Sequence, residues 1–284
     1  MLQDWQNANP VFALRGYLAF MARFCPLFSG SSGNSYYIGS ARWGILIDAG
    51  RSAKQITEMM KNCGMDLSAV CALFVTHEHS DHVAGLRVLA SRYHLPVYTS
   101  RGTLKELDRM GCLAGDFRAN VIEAKGVECA GMRIRPFPIS HDSAECVGYR
   151  VETEDGRTAA LATDLGCLPD DVHRSLSGAD LVVIESNHDV GMLENGPYPY
   201  PLKRRILSDT GHLSNDVCAG ELDRLAHKGA AHFILAHLSR ENNTPELAYQ
   251  TSLCKLTMSG MKQGRDYKLT VAPRANTTGQ VVVF

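Results

Sequence analysis

Short apolar runs dominate the start of the ordered pattern. Segments 24–28, 35–39 and 43–48 read as strands, separated by the run Ser29-Gly30-Ser31-Ser32-Gly33-Asn34-Ser35 and by a turn near Ser40. A helical pattern fits 52–62 and stops at Cys63-Gly64, where glycine relieves a left-handed C-terminal residue. The run Val70-Cys71-Ala72-Leu73-Phe74-Val75 predicts a further strand. Beyond a polar loop, Val83, Leu86 and Ala90 share one face of a helix over 82–92. A short strand at 97–100 and a helix at 102–110, ending before Gly111, follow.

The second half repeats the order, strands first and helices later. Strands are expected at 117–123, 126–139, 146–153 and 157–163, with an Asp155-Gly156 turn between the last two. Then come a helix at 169–176, the apolar strand Leu181-Val182-Val183-Ile184, and helices near 199–207, 214–228 and 244–257. Thr244-Pro245 is a start signal for the last helix, threonine as N-cap and proline at the first helical position. A strand at 232–236 separates the last two helices, and another closes the chain near 280–284. Two such halves suit two sheets packed face to face with helices outside, a four-layer α/β/β/α sandwich. Periodicity alone does not select that arrangement over other α/β folds.

Composition narrows this picture. The 284 residues are 45% hydrophobic and 21% charged, the balance of a soluble globular protein. Lys+Arg 29 against Asp+Glu 30 gives a net charge of −1, so nucleic acid could be held only by a local patch. Nine cysteines, an odd number with no C-x-x-C pair, fit a reducing cytoplasm better than a disulfide framework. No apolar run approaches the roughly 18–20 residues of a membrane span. The first twenty residues make a poor signal peptide, because no basic segment precedes the apolar stretch and Arg15 interrupts it. Met21 is expected to be the natural start, with residues 1–20 an extension of marginal order and 21–284 one domain.

The run Thr76-His77-Glu78-His79-Ser80-Asp81-His82 changes the picture most. It places three imidazoles and a usable carboxylate within six residues between a strand and a helix. Such a set of nitrogen and oxygen donors suits zinc, manganese or iron. His77 and His79 can converge on one ion, while Asp81 and His82 turn toward a second. Paired ions in hydrolases lie roughly 3.5–4 Å apart. Further polar residues follow strand-like runs directly: Asp48, His141, Asp164 and His237. Each alone would more often be a turn or cap than a ligand.

Taken together, the series Asp, H-x-H-x-D-H, His, Asp, His resembles the five motifs of the metallo-β-lactamase superfamily over about residues 22–240. The segments Phe28–Ser35, Leu46–Gly50, Thr76–Leu86, Glu185–Asp189 and Leu207–Asn215 resemble its bacterial YycJ/WalJ branch, from Met21 over nearly the whole chain. Similarity to RNase Z and to the cyclic phosphodiesterase PhnP is more distant. The resemblance implies the four-layer fold and a phosphodiester hydrolase, with 5′→3′ exonuclease action on double-stranded DNA. It implies two divalent ions, Zn²⁺ or Mn²⁺ with iron also admitted. His77, His79 and His141 would hold the first, Asp81, His82 and His237 the second, and Asp164 would bridge them. A bridging water or hydroxide would be the nucleophile, and Asp81 counts among the catalytic groups as well as the ligands. Asp48 either fixes a ligating imidazole or simply closes a turn.

In the phosphodiesterase relatives a non-ligand histidine upstream of the last metal histidine protonates the leaving oxygen. His212 stands in that order before His237, and imidazole suits the task near neutral pH. Two other readings of His212 stand: a cap for the helix 214–228, or the ligand in place of His237. His94, His173, His227 and His232 read as ordinary residues, whereas His188 could line the cleft or be structural. Ser31, Ser32 and Asn34, in the glycine- and serine-rich loop, are candidates for substrate contact through close backbone approach. Lys203, Arg204 and Arg205 could follow a phosphate backbone or form a solvated helix face.

Nucleic acid, DNA in particular, is the expected substrate and partner. The competing expectation is a two-metal hydrolase of small molecules: a thioesterase, lactonase or cyclic phosphodiesterase. Fold alone does not separate them. A redox or sensing module would want a flavin-domain sequence, which the chain lacks. Oligomeric state is left open.

Overall fold

Alternation along the strands explains the layers. In the computed structural model, which describes residues 20–284, Ile45 and Ile47 face one side of their strand and Leu46 the other. The first side joins Phe24, Tyr36 and Phe74 against Ile134, Tyr149, Leu161, Val183 and Ile234 of a second sheet, forming the central core. The opposite side packs on helices: Leu46 and Leu73 with Ile56, Met60 and Leu89 in one half, Val182 and Leu235 with Leu176, Leu222 and Leu256 in the other. This is the expected four-layer α/β/β/α sandwich. The expected extension lies outside the described residues, apart from Phe20. Among the described residues, no helix is long and apolar enough to cross a membrane.

The first sheet comprises β1 (Arg23–Phe28), β2 (Ser35–Gly39), β3 (Gly44–Ile47), β4 (Val70–Phe74), β5 (Val97–Thr99), β6 (Ala119–Val121) and, from the C-terminus, β14 (Val282–Val283), in the order β14-β1-β2-β3-β4-β5-β6. The second comprises β7 (Val127–Cys129), β8 (Met132–Pro138), β9 (Val147–Glu152), β10 (Thr158–Ala162), β11 (Leu181–Glu185), β12 (His232–Ala236) and β13 (Lys268–Val271), in the order β13-β12-β11-β10-β9-β8-β7. In each sheet three antiparallel pairings give way to three parallel ones, β3·β4·β5·β6 and β10·β11·β12·β13. Ligand sites in such sheets form beyond the carboxyl ends of parallel strands. The chemistry of this chain sits there.

Helices α1 (Ala53–Asn62), α2 (Ser80–Val83), α3 (Leu86–Tyr93) and α4 (Arg101–Arg109) belong to the first half. Helices α5 (Asp170–Leu176), α6 (Val190–Asn195), α7 (Tyr200–Ile206), α8 (Asn215–Ala226) and α9 (Pro245–Met258) belong to the second. Thr244 caps α9 as expected, accepting from the Leu247 N–H. Three expectations are corrected. The strand 126–139 is a hairpin, because Ala130 and Gly131 both take left-handed φ (53° and 69°), as a tight two-residue turn requires. The helix 82–92 is two helices, interrupted at Gly85, where a Cβ would collide with the Arg51 carbonyl. Short α6, capped by Asp189, and β13 were not anticipated.

Candidate metal centre

Three strand ends carry strained backbone. Asp48 after β3, Asp164 after β10 and His237 after β12 have φ of 62°, 62° and 52°. Non-glycine residues in this region cost about 1–3 kcal/mol each and persist only where their surroundings over-determine them. At Asp48 the surroundings do so. Its N–H donates to the Phe74 carbonyl, Oδ1 accepts from the Thr76 N–H, and Oδ2 accepts from Thr76 Oγ1 and from His82 Nδ1 at 2.8 Å. At His237 the N–H donates to Ser29 Oγ and the carbonyl accepts from Asn187 Nδ2. All three side chains reach one buried polar cluster: Asp48 on His82, and Asp164 on both His82 and His237.

Seven expected residues meet there in overlapping groups. His77, His79 and His141 form one; Asp81, His82 and His237 form another; His77, His82 and Asp164 link them, with donor atoms in each group within 4.8 Å of one another. His141 Nδ1–H donates to the Gly211 carbonyl, which leaves Nε2 with its lone pair 3.3 Å from His79 Nδ1. His82 Nε2 lies 3.3 Å from Asp164 Oδ2 and 3.6 Å from Asp81 Oδ2, and His237 Nε2 lies 3.7 Å from the same Asp81 oxygen. Donors at about 2.0–2.2 Å from one tetrahedral ion stand about 3.3–3.6 Å apart, so these spacings fit shared cations. His77 Nε2, His237 Nε2 and Asp164 Oδ2 are buried with no hydrogen-bond partner, each an atom that a cation would satisfy.

The electrostatics agree. Burial pushes His77 far down and His141 down, keeping both neutral with a free lone pair. At Asp164 burial favours protonation, but the charges of His237 and His82 prevail and hold the carboxyl well below its usual range. Burial opposes charge on His237 too, yet Asp164, Asp81 and Glu185 push it up to about 10. Concentrated negative potential of this kind attracts divalent cations.

Glu185, for which the sequence suggested no role, organises the other side of the cluster. It ends the buried apolar run of β11, and a glutamate closing such a run was the available signal. Its Oε1 accepts from His212 Nδ1 at 2.9 Å and from His237 Nδ1 at 2.6 Å, while Oε2 accepts from the Leu165 and Leu213 N–H groups. Burial alone would raise its pKa, but His212 and His237 bring it to about 2. His212 keeps 15% of its side chain exposed, against 2% for His237, and its ring centroid lies 5.2 Å from that of His141. The pKa of His212 is raised: burial works against charge, and Glu185 overcomes it. It does not cap α8. Ser214 does, accepting from the Val217 N–H.

Other candidates separate. Asn34 is fully buried: Nδ2 donates to Asp81 Oδ2 at 3.3 Å and lies 2.9 Å from His82 Nε2, so it braces the cluster from within and is not placed to touch substrate. Ser31 and Ser32 are exposed at a turn tip. Lys203 Nζ donates to the Glu194 and Gly196 carbonyls, and Arg205 forks onto Asp142, which leaves Arg204 as the exposed, uncommitted cation of the three. His188 is buried with both ring nitrogens unpartnered, and burial lowers its pKa to about 4.

The fold and this cluster define a class. Residues 42–238 match the family model of the beta-lactamase superfamily domain, and the chain belongs to that superfamily. Within it the chain falls with the YycJ/WalJ proteins. It is 38% identical over 248 residues to exodeoxyribonuclease YycJ of Bacillus anthracis, covering 87% of this chain and 93% of that protein. It is 35% identical over 250 residues to exodeoxyribonuclease WalJ of Streptococcus pneumoniae, with the same shares covered. Among solved structures, Zn²⁺-bound PqqB from Methylobacterium extorquens aligns with a TM-score of 0.69 at 16% identity, covering 92% of this chain and 100% of that one, a likeness of fold.

Proposed function

We propose that the protein is a metal-dependent phosphodiesterase that degrades DNA as a 5′→3′ exonuclease. The observation that carries this reading is His212 on the buried Glu185 carboxylate, beside two three-residue donor groups joined through Asp164. Cleavage of a sugar–phosphate bond expels an alkoxide, a poor leaving group that a positioned proton donor assists, whereas the thiolate of a thioester leaves without one. The exodeoxyribonuclease names of the YycJ and WalJ relatives support the same substrate.

In this reading His77, His79 and His141 would hold one divalent cation and Asp81, His82 and His237 a second, with the Asp164 carboxylate within reach of both groups. Five imidazoles and two carboxylates admit Zn²⁺, Mn²⁺ or iron. Bound there, two cations supply Lewis acidity toward phosphorus and lower the pKa of the attacking water. The remaining work belongs to the chain. Asp48 holds His82 in the tautomer that turns Nε2 to the cluster. Asp81 offers a carboxylate oxygen beside His237, where it can steer the nucleophile. His212, whose pKa Glu185 raises, would give its proton to the departing 3′ or 5′ alkoxide, with Glu185 steadying the charge change.

Purified protein loaded with Mn²⁺ or Zn²⁺ should shorten end-labelled duplex DNA from the 5′ end and hydrolyse bis-p-nitrophenyl phosphate. Hydrolysis of a lactone or thioester with no attack on DNA would favour the small-molecule reading instead.

A further inference from the structure

We infer that Arg51, with Ser31 and Ser32, forms a subsite for a DNA phosphate next to the one held at the metal cluster; this rests on the nuclease reading. Backbone hydrogen bonds tie the two loops that carry these residues to the segment that holds Asp81 and His82. The Asn34 N–H donates to the Asp81 carbonyl, the Gly50 N–H to the Asn34 carbonyl, and the Ala49 N–H to the His82 carbonyl. Gly50 has no room for a side chain, since a Cβ would collide with the Asp81 carbonyl; one on Gly33 would stand 2.6 Å from the Gly50 oxygen. Arg51 therefore leaves the backbone one residue from a contact with the motif aspartate.

Its guanidinium is held and uncommitted at once. Nη2 donates to Ser32 Oγ at 2.8 Å, and the group lies 5.6 Å from the centre of the Phe28 ring. Among the described residues no carboxylate pairs with it, in contrast to Arg101, Arg135 and Arg205, each matched to an acid. The turn beneath closes with the Gly33 N–H on the Gly30 carbonyl, which places Ser31 and Ser32 at an exposed tip. A planar cation pre-set by a ring and a hydroxyl, with no carboxylate on it and an exposed serine turn beside it, is the chemistry that takes a phosphate in two-pronged fashion. A terminal 5′-phosphate and an internal phosphodiester share that chemistry.

The test uses the full-length, metal-loaded protein and the variants Arg51→Gln, Arg51→Lys and Ser32→Ala. For Arg51→Gln, kcat/KM on duplex DNA should fall about tenfold or more relative to that on bis-p-nitrophenyl phosphate, mainly through KM, as for one lost charged hydrogen bond. The slope of log affinity against log salt should flatten by about 0.9, one phosphate's worth. Arg51→Lys should keep the slope and recover part of the affinity, and Ser32→Ala should fall in the same direction by less. Duplexes with and without a 5′-phosphate separate the two sources: an effect confined to phosphorylated ends assigns the terminal group, and an equal effect assigns the internal one. Wild-type salt slope in Arg51→Gln, equal losses on DNA and the small diester, or loss of bound metal would overturn the subsite. Wild-type protein that neither binds nor cleaves DNA contradicts the nuclease reading and the subsite with it, whereas DNA cleavage with an unaltered Arg51→Gln slope removes the subsite alone.

Discussion

Replacing Glu185 by glutamine tests the proton and metal architecture through one atom pair. Four donors converge on this carboxylate: the Nδ1–H groups of His212 and His237 on Oε1, and the N–H groups of Leu165 and Leu213 on Oε2. Glutamine offers one oxygen and one NH₂. If the oxygen faces the imidazoles, the NH₂ opposes two buried backbone donors, at about 1–3 kcal/mol each. If the NH₂ faces the imidazoles, Nδ1 must accept, the proton moves to Nε2, and His237 can no longer ligate. Either orientation also removes one of the charges that, after Asp164 and Asp81, push His237 up to about 10. Metal affinity should therefore fall about 10–100-fold, as for other partners of ligating imidazoles, and folded stability by about 2–6 kcal/mol. Equilibrium dialysis with elemental analysis and denaturant unfolding read the two effects. Wild-type metal affinity in Glu185→Gln, with DNA cleavage also intact, would refute the reasoning.

His237→Ala should lose bound metal, whereas His212→Ala should keep it and slow cleavage of DNA about 10²–10⁴-fold more than cleavage of an activated nitrophenyl ester; metal loss from His212→Ala, or equal slowing on both substrates, contradicts the assignment. A chelator should lower the melting temperature, since cations present at about a hundred times their dissociation constant contribute about 2.7 kcal/mol; an unshifted melting curve contradicts a folded-state metal site. His188, with a folded pKa of about 4 against about 6.5 unfolded, takes up its proton more readily in the unfolded chain. Its effect is absent above pH 6.5 and removes about 2 kcal/mol of stability by pH 5. In chelator, His188→Gln should flatten that part of the stability–pH curve relative to wild type; parallel curves would contradict it.

How much was legible in the sequence depends on the range of the interaction. The motif His77–His82 could be read because its spacing is local, and the strand-end polar residues could be read because each interrupts an apolar run. The sandwich followed from resemblance, since face-to-face pairing of two sheets leaves no trace in periodicity. Glu185 was missed as a working residue because its partners His212, His237, Leu165 and Leu213 are 20 to 52 residues away. Asn34 looked like a substrate contact because glycine- and serine-rich loops suit anions, but the fold turns its amide inward onto Asp81 and His82. The triplet Lys203-Arg204-Arg205 showed charge without showing its partners: α7 hands Lys203 to two carbonyls and Arg205 to Asp142. Arg51 carried no signal, since a lone arginine before a helix is commonplace until Gly33 and Gly50 are seen to seat it beside the cluster.

Anomalous diffraction from crystals grown with Mn²⁺ or Zn²⁺ tests the central claim most directly. The account predicts two peaks roughly 3.5–4 Å apart, one among His77, His79 and His141, the other among Asp81, His82 and His237, with Asp164 between them. A single peak, or peaks away from these seven side chains, would contradict it.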